Sequence, residues 1–356
     1  MDTPNACSTA PPMITGDLRM KLRHLFAAAL STTVLGSGLA SAQTVFTVSS
    51  WLPPTHTLST VQKNWCDMLE KESAGRMKCN ILPKSVAAPP GTFDAVRDGL
   101  ADISYTVDGY TPGRFINTQV AEFPFLGDSS VATSVAYQRI YSKYFAPLGE
   151  HRGVKALAVF THGPGIIFNS KKPVTSAADA AGLKFRIGGG NINELSKAMG
   201  WNTTLKPAPE SFELLSTGVM DGTFFPDESV ASFKLSMVKH ATTFPGGLYN
   251  TSFVFMMNEG KYKGLSPQDK AVVDKLSGEV AARMFGEGWD KVDAASRDMQ
   301  KSMGVARIAA DKAFVKAVMD KQDYLETKWA AAAQVKGLKN PKGVLAEFRA
   351  EIAKVK

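Results

Sequence analysis

Residues 182–228, GLKFRIGGGNINELSKAMGWNTTLKPAPESFELLSTGVMDGTFFPDE, decide the fold class. Leu183 to Ile187 reads as a short apolar strand with Arg186 near its end. Gly188 to Gly190 reads as a turn with free backbone N–H groups, and Asn191 to Met199 has helical spacing. Trp201 to Leu205 is a second strand, Ser211 to Thr217 a helix, and Gly222 to Phe225 a third strand closed by Pro226. Ligands of open parallel sheets sit at the carboxyl ends of the strands, so Arg186 and Phe225 are expected to face one crevice.

Before this region, Met20 opens a basic segment with Lys21, Arg23 and His24. An apolar run from Leu25 to Leu39 and the small residues Ala40-Ser41-Ala42 follow, which is the layout of an export signal cleaved before Gln43. The run is too short for a membrane span, and no later stretch approaches about 18 consecutive apolar residues, so the processed chain is expected to be soluble and not itself embedded in a membrane. The remaining 314 residues are enough for two compact lobes. The formal charge of +8 falls to about +7 without the leader and is spread without a basic block or an aromatic ladder, which argues against nucleic acid. Cys66 and Cys79 remain as an even pair in an exported chain, either bridged in an oxidising compartment or standing as two separate buried thiols.

The chain from Val45 onward alternates strand and helix: a strand at Val45 to Ser50, a helix from about His56 to Lys71, then strands at Met77 to Leu82 and Ala101 to Val107 around a helix near Phe93 to Leu100. This order predicts parallel strands with right-handed crossovers. Asp108 to Phe115 is the loop at a strand's carboxyl end. His162-Gly163-Pro164-Gly165 marks a crossing into a second lobe, able to act as a hinge or as a rigid turn. Tyr249 to Met257 is apolar enough to return to the first lobe as a shared strand, and Ser266 to Met303 carries a helical pattern long enough to span both lobes. The expected division is residues 43–162 plus 251–290 in lobe I and 163–250 plus 291–356 in lobe II. The fold class is therefore α/β, two-lobed like a periplasmic binding protein, with an interlobe cleft, shared strands and a long lobe-spanning helix.

Chemistry-bearing motifs of hydrolases and nucleotide enzymes are missing: there is no His-Glu-x-x-His, no Gly-x-Ser-x-Gly and no phosphate-binding Gly-Lys-Ser/Thr loop. Gly188-Gly189-Gly190 fails the dinucleotide spacing, and no histidine has a spaced partner for a metal. No catalytic residue, metal site or cofactor is expected.

Taken in order, the Trp51-to-His56 opening, DGLADISY at 98–105, GYTPGRF at 109–115, FPF at 123–125, DAAGLKFRI at 179–187 and GVMDGTFFP at 218–226 resemble the extracytoplasmic solute-binding subunit of tripartite ATP-independent periplasmic (TRAP) transporters, of the DctP type. The resemblance implies a periplasmic protein that captures a small organic acid, hands it to the TRAP membrane permease subunits driven by an ion gradient, and performs no catalysis. It also implies that Arg186 pairs with the ligand carboxylate, a role suited to a planar guanidinium fork. Two positions depart from the more polar members: a second arginine would fall at Gly165 or Ile166, and an asparagine is replaced by Phe225. Trp51, Tyr110 and Phe225 are flat side chains able to stack on a ligand body, and His56, His162 and Asp108 can hydrogen-bond to it. The expected ligand is a monocarboxylate with an apolar or aromatic body, such as a 2-oxo or hydroxy acid. The competing readings are a small amine or neutral solute, with Asp108 or Glu228 as counter-charge, and an exported enzyme on the same scaffold.

Overall fold

The computed structural model describes residues 43–355; the expected export leader lies outside them. In chain order the elements are β1 (Thr44–Val48), α1 (Thr57–Glu72), β2 (Met77–Ile81), α2 (Thr92–Arg97), β3 (Ile103–Val107), α3 (Ser130–Ile140), β4 (Val154–Thr161), β5 (Ile166–Asn169), β6 (Lys184–Ile187), α4 (Asn191–Met199) and β7 (Asn202–Leu205). There follow α5 (Ser211–Ser216), β8 (Gly222–Phe225), α6 (Glu228–Ser232), β9 (His240–Thr243), β10 (Ser252–Asn258), α7 (Glu259–Gly264), α8 (Pro267–Lys275), α9 (Glu279–Ser302), β11 (Ala306–Ala309), α10 (Lys312–Val335) and α11 (Pro341–Ile352).

Two sheets form, one ordered β2-β1-β3-β10-β4 and the other β11-β9-β5-β8-β6-β7. β1 runs parallel to β2 and β3, as the alternation predicts. β10 returns from the second sheet and inserts antiparallel between β3 and β4, which makes it the shared strand. In the second sheet β6 is parallel to β7 and β8, whereas β5 is antiparallel to both β8 and β9. The chain crosses between sheets at 162–165 and again at 244–251. These two segments pair where Gly165 bridges Tyr249, through Gly165 N–H to Tyr249 O at 2.8 Å and Leu248 N–H to Gly165 O at 2.9 Å.

Helix α1 buries Leu58, Val61, Trp65 and Leu69 on one face, and its Cys66 is joined to Cys79 of β2 by a disulfide with the Cα atoms 5.8 Å apart. The continuous helix expected from Ser266 to Met303 is two helices. The break falls at Gly278, whose φ of +65° lies in the left-handed region that glycine tolerates best. Helix α9 itself reaches both sheets, and its buried stripe changes character on the way. Ala281, Ala282, Phe285 and Trp289 pack in the core beneath the first sheet. One, two and three turns later Asp293, Ser296 and Gln300 grip α6 and the residue before it: Asp293 Oδ1 accepts from Glu228 N–H at 2.7 Å, and Gln300 Nε2 donates to Asp227 O at 3.1 Å. Helix α10 packs beside α4, while α11 pairs with α3 and its extension through Arg139–Glu351 (3.1 Å) and Lys143–Glu347 (2.8 Å), so the tail of the chain touches both lobes. No helix among the described residues is long and apolar enough to cross a membrane.

Candidate functional site

Strands β6 and β8 are neighbours with Arg186 opposite Thr223, so the carboxyl ends of both open into the space between the sheets. Trp51, His56, Tyr110, His162, Arg186 and Phe225 line one cavity there, with about 40 Å³ open to the centre of a water-sized sphere. Its remaining wall is mostly apolar and includes Leu52, Val107, Phe233, Phe253 and Trp289.

The Arg186 guanidinium is the dominant charge. Only 2% of the residue is exposed, and burial pulls its pKa down from the ordinary value, opposed by nearby Tyr110, Tyr249 and Glu210. Nε donates to Lys206 O at 2.7 Å, which fixes the plane of the group. Cζ lies 4.4 Å from the centre of the Phe225 ring, and that ring stacks on Phe233 with centroids 5.4 Å apart. No Asp or Glu oxygen among the described residues comes within 4.0 Å of it. A buried charge without a counter-ion is costly, and an anionic ligand supplies one.

Trp51 is held by its indole N–H donating to Tyr105 O at 2.9 Å, and its ring meets Tyr110 edge-on at 5.8 Å. Tyr110 comes from the first lobe, yet its hydroxyl accepts from Ala208 N–H of the second at 2.9 Å. His56 caps α1, with Nδ1 accepting from Leu58 N–H at 3.1 Å while Nε2 stands 3.2 Å from Glu228 Oε1 across the cleft. Burial lowers the His56 pKa to about 3 and raises that of Glu228 to about 7, so the pair meets as a neutral imidazole donating through Nε2–H. Glu122 makes a second bridge between the lobes, accepting from Asn191 N–H at 2.8 Å and from Ser252 Oγ at 2.6 Å, with its pKa raised to about 7 by burial. Gly109 and Gly189 approach backbone to backbone between these bridges: a Cβ on Gly189 would fall 2.3 Å from Gly109 O.

Asp108 is not brought to this cavity. Its Oδ1 is 3.1 Å from His151 Nε2, because the loop after β3 turns that side chain toward the aromatic cluster of Phe115, Tyr141 and His151. Glu228 likewise does not line the cavity. Tyr249, Thr251, Phe253, Phe233 and Trp289 do line it and were not singled out from sequence, where all but Phe233 fall in a strand or helix pattern and Phe233 falls in a stretch assigned to no element. Gly165 explains the place of Tyr249, since a Cβ there would lie 2.2 Å from the tyrosine ring.

Comparison with known proteins agrees with this architecture. The model of bacterial extracellular solute-binding protein family 7, DctP, matches residues 48–331, and the chain belongs to that family, the solute-binding proteins of TRAP transporters. A TRAP periplasmic solute-binding protein of Bordetella bronchiseptica, solved with bound (R)-mandelate and (S)-mandelate, is 43% identical, with 88% of this chain and 99% of that one covered and a TM-score of 0.85. A marine-metagenome TRAP solute-binding protein specific for aromatic acid ligands, solved with 3-hydroxybenzoate, is 33% identical over 89% of this chain and all of that one, with a TM-score of 0.82. The outer membrane transporter protein TsaT of Comamonas testosteroni is 27% identical over 333 residues, 93% of this chain and 98% of that protein.

Proposed function

We propose that this chain is exported to the periplasm, captures an aromatic monocarboxylate between its lobes through Arg186, and delivers it unchanged to an ion-gradient-driven TRAP permease. The observation that carries the reading is the buried Arg186 guanidinium, stacked on Phe225 in a cavity whose wall is mostly aromatic and apolar. One cation matches one carboxylate, and the flat walls match a ring. The aromatic acids bound by the similar proteins of Bordetella and the marine metagenome support the same ligand class. An amine ligand is disfavoured because Asp108 and Glu228, the counter-charges it would use, are engaged by His151 and His56 outside the cavity wall.

A melting-shift panel tests the proposal. At a concentration 100 times its Kd, a ligand that binds only the folded form adds about 2.7 kcal/mol, which raises Tm by several degrees in a chain of this size. Benzoate, mandelate and phenylacetate are expected to give such shifts, whereas succinate and benzylamine are not. Shifts with benzylamine and none with the three aromatic acids would contradict the reading. Recovery of the bound acid unaltered after prolonged incubation tests the absence of turnover.

A further inference from the structure

Most polar atoms around the cavity already have partners. His56 uses both ring nitrogens, Tyr110 accepts from Ala208, and Ser229 Oγ donates to Glu228 at 3.3 Å. Among the described residues the Tyr249 hydroxyl, Thr251 Oγ1 and Nε2 of His162 make no hydrogen bond, and the Arg186 guanidinium lies beside the Tyr110 hydroxyl. Arg186 and the Tyr249 hydroxyl are donors and suit a carboxylate.

His162 is different in kind. Its Nδ1 faces the carbonyl oxygen of Gly163, which can only accept, so Nδ1 carries the proton and Nε2 presents a lone pair. Asn250, with its amide nitrogen turned to the crossing segment, donates to the carbonyls of His162 and Gly163 at 2.9 and 3.0 Å and holds this arrangement. Burial and the positive charge of Arg186 both oppose a second proton on the ring, whose pKa is lowered to about 4. A carboxylate has no hydrogen to offer such a nitrogen, and neither has a ketone. Trp289, with its ring 5.9 Å from that of His162, closes the wall beside it, and its own indole nitrogen is buried. A hydroxyl group has the hydrogen that this lone pair lacks.

We infer that His162 forms a hydroxyl-recognition subsite, so that the protein selects hydroxy-substituted aromatic monocarboxylates over their oxo and deoxy counterparts. The inference rests on the ligand class proposed above and narrows it. A deoxy ligand leaves the His162 lone pair desolvated and unmatched, and an oxo ligand sets an acceptor against it, so both are penalised relative to the hydroxy acid.

Calorimetric titration of the full processed chain with mandelate, benzoylformate and phenylacetate tests this, since the three acids differ only at the carbon beside the carboxylate. The wild type is expected to bind mandelate at least about tenfold more tightly than either of the others. In His162→Phe that ratio is expected to fall to within about threefold of unity. His162→Gln, whose amide oxygen still accepts, is expected to keep most of it. Equal wild-type affinity for all three acids, or tighter binding of benzoylformate, overturns the hydroxyl assignment and leaves the aromatic-monocarboxylate reading intact. Failure of all three acids to bind overturns both. The wild-type comparison decides the matter even if a variant does not fold.

Discussion

Arg186 and Phe225 stand on adjacent parallel strands with the guanidinium carbon 4.4 Å from the ring centre, and Phe225 is itself backed by Phe233. The ring shields the cation from water and sets the plane in which its N–H groups are offered. Geometry and charge are therefore coupled at one contact, and several measurable consequences follow from it and from the bridges that close over it.

Phe225→Leu removes the ring but keeps an apolar side chain. A desolvated cation–π contact is worth about 2 kcal/mol, so the affinity for an aromatic acid is expected to fall about ten- to thirtyfold by calorimetry. An unchanged Kd would show that the ring does not position the guanidinium.

Closure depends on a backbone-to-backbone approach. Gly189 has φ +87°, and a Cβ there would meet Gly109 O at 2.3 Å and Leu205 at 3.0 Å. Gly189→Ala is expected to weaken ligand binding at least about tenfold, through a left-handed backbone cost of about 1 kcal/mol plus the clash. Small-angle scattering should show the ligand-saturated variant more extended than the wild type, and identical profiles would count against the glycine contact as the limit on closure.

Binding should tighten as pH falls from about 8.5 to 6. Glu122 and Glu228 are buried between the lobes with pKa values raised to about 7 from 4.5, so closure takes up protons. Their contribution is fully present below the solvated value and is lost as pH rises through about 7. His56 has the opposite sign, because its pKa is lowered to about 3 from 6.5 and closure must expel its proton below about pH 6.5, so the gain levels off there. Calorimetry in buffers of different ionisation enthalpy should detect proton uptake at pH 7, reduced in Glu122→Gln and Glu228→Gln. Affinity that rises with pH across this interval would contradict the assignment.

The Cys66–Cys79 bridge closes a loop with a sequence separation of 13. Loops of that size give about 3 kcal/mol of stabilisation, so reduction is expected to lower Tm on the order of 5 to 10 °C. Identical melting with both thiols shown to be free by labelling would remove the bridge from the stability account.

Much of this arrangement is legible in the residues. The stretch 182–228 gives its three strands and α4 to within a residue or two, because each apolar run is short and bounded by glycine or proline. Arg186 and Phe225 meet because strand ends in a parallel sheet share an edge, a relation that order alone reveals. Asp108 escapes such reasoning: its placement is decided by His151, 43 residues away in sequence. Tyr249 and Trp289 have the spacing of ordinary core, and only the pairing of the two crossing segments and the course of α9 bring them to the cavity. The break at Gly278 was hidden because a glycine inside an apolar periodic pattern is compatible with a helix at a cost of only about 1 kcal/mol.

The central claim is that one guanidinium supplies the counter-charge for the ligand. Calorimetric titration of Arg186→Met with the aromatic acid that the wild type binds most tightly, on protein shown to be folded by circular dichroism, tests it most directly. The account predicts a loss of at least about a hundredfold, as expected when one partner of a buried charged pair worth about 3 to 5 kcal/mol is removed. A Kd within threefold of the wild type would contradict it.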